Sequence, residues 1–413
     1  MKTFWIMDST HPCTELLLDV SRIREYLEGA GFSEIKQPRG ADLIVIATCA
    51  YNQEHEQDAI DAIKKVREIA SSDTKVIVTG CLSRINPELY SSICSYDALP
   101  PMELERMDQL IPSSHSISEI VPNSVRMSDY ARNPLFMKGI TLKRFFRRMQ
   151  LMFPGISIPV WLDTVPMDDW FFIRGSTGCT GTCSYCAIKR ARGQARSTSI
   201  ESVVSQVEQA VMNGYREISL AGDDMGCYGV DTGSSLAELL NEILRVSGDF
   251  TVNIRFIEPL WLLSGLPDLY PHFKSGRITS FCVPLQSGSQ KILNSMNRKY
   301  DIREALAGIN YVLEKTAVRS ISSIVMVGFP SETRDDFRLS MQLLDKCGAS
   351  LYQILKYEGR PGTASEAMEP KISEVVKSDR QKRFAMKMKL MKFSGFSSGA
   401  ADFIVQRIMG EIQ

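Results

Sequence analysis

Cysteine type and spacing carry the chemistry of this chain. Three cysteines stand in one small, turn-prone loop, Gly178-Cys179-Thr180-Gly181-Thr182-Cys183-Ser184-Tyr185-Cys186, at the spacing C-x3-C-x2-C. Iron–sulfur clusters are held by cysteine thiolates, usually four to a cluster. Three ligands on one loop leave an iron of a 4Fe–4S cluster without a protein ligand from this segment, and an open iron can bind a substrate or cofactor. Zinc is the alternative metal, but its sites pair a C-x2-4-C with a second pair farther along. No matching pair follows here.

A second set is more dispersed. Cys13, Cys49 and Cys81 each follow a predicted strand or its connecting loop. Residues 4–7 read as a short strand. Residues 16–29 carry Leu17, Val20, Ile23, Tyr26 and Leu27 at helical spacing. Residues 42–47 and 75–80 are apolar runs suited to buried parallel strands, with a helix predicted over 59–69. The alternation predicts an α/β fold, a small doubly wound parallel sheet over residues 1–95. In such a sheet the loops after the strands gather at the carboxyl edge, where ligands bind. Cysteines 36 and 32 residues apart in sequence can therefore meet in space. The alternative is three unrelated cysteines at strand ends.

Residues 96–168 are expected to be a linker or insertion, broken by Pro100-Pro101, Pro112 and Pro122. Within them residues 138–149 are basic and amphipathic, with aromatics between the charges. That pattern suits a nucleic acid or acidic peptide, or more simply a linker helix with a solvated basic face. Over 169–369 six strands are predicted, at 171–173, 217–220, 253–256, 280–283, 321–327 and 351–355, with helices at 199–213, 235–246, 289–295, 302–315 and 333–346. Six β/α units imply a partly closed (β/α)6 barrel with its site at the carboxyl ends of the strands. The cysteine loop directly follows the first of them. Residues 370–413 are expected to form a short helical tail.

Composition excludes several classes. The hydrophobic fraction of 44% and charged fraction of 23% suit a globular chain. Formal net charge is zero, so no global basic field draws in a polyanion. No apolar run is long enough to span a membrane. Ten cysteines without a secretion signal point to metal or catalysis in a reducing compartment, the cytoplasm. The remaining four, Cys94, Cys227, Cys282 and Cys347, are expected to be small buried apolar residues.

The spacing C-x3-C-x-aromatic-C is similar to that of the radical S-adenosylmethionine enzymes. Two cysteine triads, each in an α/β domain, resemble the methylthiotransferases among them. The resemblance runs from the first strand to about residue 390, apart from 96–168. It is carried in order by Ala47-Thr48-Cys49, Gly80-Cys81-Leu82, Ala191-Arg192-Gly193, Tyr228-Gly229, Pro284-Leu285-Gln286-Ser287-Gly288-Ser289, Met296-Asn297-Arg298-Lys299-Tyr300, Gly328-Phe329-Pro330 and Arg360-Pro361-Gly362-Thr363.

That resemblance implies that Cys179, Cys183 and Cys186 hold a radical-generating 4Fe–4S cluster with S-adenosylmethionine on its open iron. It implies that Cys13, Cys49 and Cys81 hold an auxiliary 4Fe–4S cluster carrying the sulfur to be methylated and transferred. S-adenosylmethionine would then serve as methyl donor and as radical source, with a flavodoxin- or ferredoxin-type electron donor. Tyr185 would pack by the adenine. Gly222, Asp223 and Asp224 occupy the place of the segment that meets the methionyl amine. Glu258, Gln286 and Arg298 are placed to bind ribose or carboxylate, and Gly328 to let the backbone approach the adenine. For each of these a plain loop hydrogen bond is an equal alternative. Arg192 and Arg360 would neutralise a cofactor or substrate carboxylate, or form surface ion pairs.

Departures from the family concern the surroundings of the ligands. Ala47 replaces the family's Asn, Leu16 stands where an Asn is usual, and Thr198-Ser199 replaces Arg-Pro. The chain reaches Gln413 without room for the C-terminal β-barrel of the members that modify tRNA or a ribosomal protein. With zero net charge, this favours a monomeric enzyme acting on a peptide, protein or small molecule. The first alternative is tRNA adenosine bearing threonylcarbamoyl, because residues 226–233 resemble that branch. Others are sulfur insertion without methyl transfer, and a cluster-carrying electron-transfer protein.

Overall fold

The computed structural model describes residues 2–7, 13–120, 142, 145, 146, 149, 170–349, 351–393 and 396–410. Two parallel sheets organise them. The first contains β1 (Lys2–Met7), β2 (Phe32–Glu34), β3 (Leu43–Thr48), β4 (Lys75–Gly80) and β5 (Asp97–Leu99), in the order β2-β1-β3-β4-β5. Alternate residues of these strands face opposite ways. Phe4, Ile6, Leu43, Val45 and Ile77 pack with helix α1 (Thr14–Gly29) on one face. Ile44, Ile46, Val76 and Val78 pack with Ala59, Ile63 and Val66 of helix α2 (Gln53–Ile69) on the other. With both faces covered, all six residues of β3 are buried.

Two short strands, β2 and β5, escaped the sequence reading because three residues carry no readable period. α2 begins at Gln53, six residues before the predicted start. Asn52 caps it, its side chain accepting from His55 N at 2.8 Å. The first unit also runs past the boundary expected near 95. β5 belongs to its sheet, and Leu104, Met107, Ile111, Ile117 and Ile120 belong to its core. Of the basic stretch 138–149 only Leu142, Phe145, Phe146 and Met149 are described, all helical. The rest lies outside the described residues.

The second sheet follows the expected barrel. Its strands are β6 (Trp170–Arg174), β9 (Glu217–Ala221), β10 (Thr251–Ile254), β11 (Ile278–Cys282), β12 (Ser320–Val327) and β13 (Leu351–Lys356). They are parallel, ordered as in the sequence, with β6 and β13 at the edges. A small antiparallel pair, β7 (Ser176–Thr177) and β8 (Arg196–Ser197), brackets the cysteine loop. One long helix, Pro259–Lys274, was missed because Pro267 and Pro271 lie inside it. The tail is a helix of 20 residues, Glu374–Phe393, followed by Ser398–Met409. Phe384 and Met388 of the longer helix enter the barrel core, so it is part of that core.

The two units meet along an apolar seam and a charged one. Leu17 and Leu18 of α1 pack with Phe172 and Ala221 of the barrel. Ala187 and Ala191 pack with Cys81, Leu82 and Ile85 of the first unit. Arg190 donates to the carbonyls of Ile85 and Pro361. Arg360 pairs with Glu56 of α2, and Gln53 N donates to Glu358 at 2.6 Å.

Candidate active site between the two sheets

The order β2-β1-β3-β4-β5 has its switch point between β1 and β3, and a doubly wound sheet binds ligands at the carboxyl edge there. Cys13 is the cap of α1 after β1, with Sγ accepting from Leu16 N at 3.4 Å. Cys49 directly follows β3, and Cys81 directly follows β4. Cys49 and Cys81 are buried, while Cys13 is reached by solvent. Enough protein still surrounds Cys13 that desolvation raises its thiol, with Arg192 opposing. Burial pushes Cys49 up to about 12, and the charge of Cys13 adds to it. Burial also holds Cys81 well above the ordinary thiol range, Arg192 lowering it and Cys49 and Cys13 raising it. The three thiols thus feel one another, and they need a cationic centre to become thiolates together.

The second triad lies in a loop clamped from several sides. Gly178 N donates to Asp223 Oδ2 at 2.8 Å. Ser184 N donates to Met296 O at 3.0 Å, and Ser365 N donates to Ser184 O at 2.9 Å. Asn297 Nδ2 donates to Thr182 O at 2.8 Å. Arg298 Nη1 donates to Cys183 Sγ at 3.5 Å. Burial pushes Cys186 up to about 11, and Cys183 and Cys179 raise it further. Cys179 is lowered, first by a hydrogen bond from Cys227.

Among the described residues no three His, Cys, Asp or Glu side chains are close enough to share a single ion. Three cysteine thiolates at one site fit the donor set of a cluster with one iron left open.

The supporting residues divide. Asp224 accepts from Gly226 N at 3.0 Å and Glu258 N at 3.1 Å, and its Oδ2 stands 3.9 Å from Cys179 Sγ. Burial pushes its carboxyl up to about 6. Asp223 is held by Gly178 and by Arg192, whose Nε is 3.6 Å from Oδ1. A Cβ on Gly222 would meet Ser176 Oγ at 2.7 Å, so this glycine is required by packing. Gln286 sits at φ 66 with its side-chain oxygen buried and unpartnered, which keeps it a ligand candidate. Tyr185 packs edge-on to Phe329 at 6.5 Å.

The other expected residues have partners within the protein. Glu258 and Arg298 pair with each other at 3.2 Å, while Arg298 Nε is buried without a hydrogen-bond partner. Glu258 also caps its helix through Leu260 N at 2.7 Å, and Arg298 donates to Pro284 O at 2.7 Å. Gly328 turns its Cα toward Lys377 of the tail helix. Its missing Cβ would lie 2.3 Å from Lys377 Cγ, at φ +75. Arg192 and Arg360 are buried ion-pair partners rather than surface ones.

Two residues were not singled out by the sequence. Cys227 was expected to be apolar filler, yet its Sγ lies 3.1 Å from Asp224 O and pairs with Cys179. Tyr51, raised first by burial, also feels Cys49 and Cys186. It therefore lies near a cysteine of each set. Neither has a spacing signal; only the meeting of the two sheets reveals them.

Residues 173–344 match the model of the Radical SAM superfamily, and residues 6–98 match that of the Uncharacterized protein family UPF0004. A Thermotoga maritima protein named threonylcarbamoyladenosine tRNA methylthiotransferase MtaB is 30% identical over 388 residues, 92% of this chain and 80% of that protein. This chain belongs to the radical S-adenosylmethionine methylthiotransferase family. A probable threonylcarbamoyladenosine tRNA methylthiotransferase of Pyrococcus horikoshii is 29% identical over 81% of this chain and 72% of that protein. Among solved structures, the radical S-adenosylmethionine methyltransferase TsrM of Kitasatospora setae superposes with a TM-score of 0.59. It is 14% identical, covering 89% of this chain and 77% of that one, and bears on the fold alone. The methylthiotransferase described here is an enzyme that uses S-adenosylmethionine and 4Fe–4S clusters. No described helix of it is long and apolar enough to cross a membrane.

Proposed function

We propose that this methylthiotransferase acts on an adenosine of tRNA that bears a threonylcarbamoyl group, replacing a C–H bond by C–S-methyl. The observation that carries the reading is the 30% identity, across 80% of its length, to the Thermotoga maritima protein named for that activity. The similarity of residues 226–233 to that branch supports it.

In this reading Cys179, Cys183 and Cys186 hold the radical cluster, and Cys13, Cys49 and Cys81 hold the auxiliary one. Loaded with these clusters and S-adenosylmethionine, the site is supplied with hydrogen-atom abstraction at an unactivated carbon and with a methylated sulfur to place there. The protein contributes position and exclusion of water. Asn297 and Arg298 hold the radical loop against the barrel. Arg360, Glu56 and Glu358 hold the carboxyl edges of the two sheets face to face. Tyr51 is close enough to both sets to feel the charges of Cys49 and Cys186. An electron donor of flavodoxin or ferredoxin type completes the system.

A peptide or other non-tRNA acceptor is the second reading, favoured by a formal net charge of zero. The test is anaerobic turnover of the reconstituted enzyme with tRNA bearing threonylcarbamoyladenosine, with the same tRNA lacking it, and without tRNA. Nucleoside digests are read by mass spectrometry. A methylthio product only with the first tRNA is expected. A thiolated but unmethylated product would replace methylthiolation by sulfur insertion. No change in either tRNA, with 5′-deoxyadenosine still formed, would move the assignment to the non-tRNA acceptor.

A further inference from the structure

A five-residue charge network lies buried where the two units meet. Every guanidinium nitrogen of Arg174 of β6 has an acceptor in it. Its Nε donates to Glu15 Oε2 at 3.2 Å, Nη1 to Asp19 Oδ1 at 2.7 Å and Nη2 to Glu15 O at 2.8 Å. Arg192 differs. Its Nη2 lies 3.3 Å from Asp19 Oδ2, its Nη1 4.0 Å from Glu15 Oε2 and its Nε 3.6 Å from Asp223 Oδ1. Its side chain is 2% exposed, and Nη1 and Nη2 have no hydrogen-bond acceptor. A buried guanidinium with unused donors is costly unless something else takes them. Its charge acts first on the carboxylates of Asp19 and Asp223 and then on the thiols of Cys81 and Cys13, with a weaker effect on Cys49.

The connections of this network run to both cysteine sets. Glu15 and Asp19 belong to α1, the helix that Cys13 caps. Asp223 accepts the N–H of Gly178, the residue before Cys179. Arg192 itself ends the helix Ile188–Arg192, which follows Cys186 by one residue.

We propose that Arg192 is a positioning residue joining the two cysteine sites, and that its Nη1 and Nη2 groups, which lack a hydrogen-bond acceptor, donate to the thiolates and an anionic sulfur at the Cys13–Cys49–Cys81 site. The inference rests on the reading that these three cysteines hold the auxiliary cluster. The ligand class is a small sulfur anion, hydrosulfide or an alkylthiolate. Arg174 is turned to α1 instead, since each of its three nitrogens donates to Glu15 or Asp19.

The test compares Arg192→Gln, Arg192→Lys and Arg360→Gln in the full-length, anaerobically reconstituted protein. Arg360→Gln cuts the other clasp between the units and controls for simple loosening. Iron content is measured first, then the midpoint potential of each cluster by redox titration followed by electron paramagnetic resonance, then titration with sodium hydrosulfide. Arg192→Gln is expected to keep its iron, to shift the auxiliary potential to a more negative value and to weaken hydrosulfide binding about tenfold, the equivalent of one charge-assisted hydrogen bond. The radical-cluster potential should stay in place. Arg192→Lys keeps the charge and should hold the auxiliary potential, which provides the reading if the Gln variant does not fold. Equal shifts in Arg192→Gln and Arg360→Gln would overturn the proposal, as would wild-type potential and hydrosulfide affinity in Arg192→Gln. A Lys variant whose auxiliary potential falls would overturn it as well. If the wild type binds about four irons rather than about eight, and Cys49→Ala does not lower the count, the two-site reading beneath the proposal fails instead.

Discussion

Gly80 stands so close to Thr48 that a Cβ on it would lie 2.0 Å from the Thr48 carbonyl oxygen. Its φ is +99, and the next residue, Cys81, donates its N–H to the same oxygen at 3.1 Å. The glycine is what lets the chain after β4 turn onto the end of β3, bringing Cys81 toward Cys49. Gly80→Ala would carry both the clash and the strained backbone. It is expected to lower bound iron after reconstitution from about eight to about four per chain, with far-UV circular dichroism unchanged. Wild-type iron content in that variant would show that the turn tolerates a side chain.

The two triads should separate functionally. Cys183→Ala is expected to abolish formation of 5′-deoxyadenosine. Cys49→Ala should retain that product and lose sulfur transfer. Both are read by mass spectrometry of anaerobic reactions. A folded Cys49→Ala protein that makes no 5′-deoxyadenosine would refute this division of labour.

The tail helix Glu374–Phe393 is docked by a buried ion pair. Arg380 Nη1 donates to Glu332 Oε2 at 2.5 Å, with side chains 4% and 0% exposed. Glu332 also accepts from Gly328 N at 2.7 Å, and burial, the largest effect on it, raises its carboxyl. Arg380→Met would leave that carboxylate unpaired and should cost ~3–5 kcal/mol. The added change Glu332→Gln should recover part of the loss. Urea unfolding of both variants measures it, and a single-variant cost under ~1 kcal/mol would mean that the helix is held by its apolar face alone.

Acid stability should depend on Asp336. Burial tends to raise its carboxyl, but hydrogen bonds with Lys291, Ser289 and Thr333 outweigh that and hold it well below the usual carboxylate range. Its folded pKa is depressed, so its stabilisation is present above the unfolded value of about 4 and is lost as the pH falls below it. Asp336→Asn should be less stable than wild type at pH 7, with the difference shrinking below about pH 4. Urea midpoints from pH 7 to 3 test this. A gap that stays constant across that range would assign the effect to packing.

Much of this protein was legible without coordinates. Six strand candidates gave the barrel because they alternate regularly with segments of helical spacing, the pattern of β/α units. Cys179, Cys183 and Cys186 were legible as a set because three thiols on one loop need no fold to bring them together. Cys13, Cys49 and Cys81 could be joined only through a rule, the carboxyl edge of a parallel sheet. β2 and β5 were too short to carry a period, and the helix Pro259–Lys274 was hidden by its prolines.

By itself, then, the sequence determined the chemistry: which thiols form each set and which strands precede them. Those are properties of spacing and local periodicity. The tertiary structure decided what lies between the sets. Leu17 meets Phe172, Arg192 reaches Asp19 and Asp223, Arg360 finds Glu56, and Tyr51 stands near both Cys49 and Cys186. Glu258 and Arg298, 40 residues apart, also meet only in the fold. Each of these relations joins residues far apart in the chain, and no local pattern records a partner that only the docking of two sheets brings into contact.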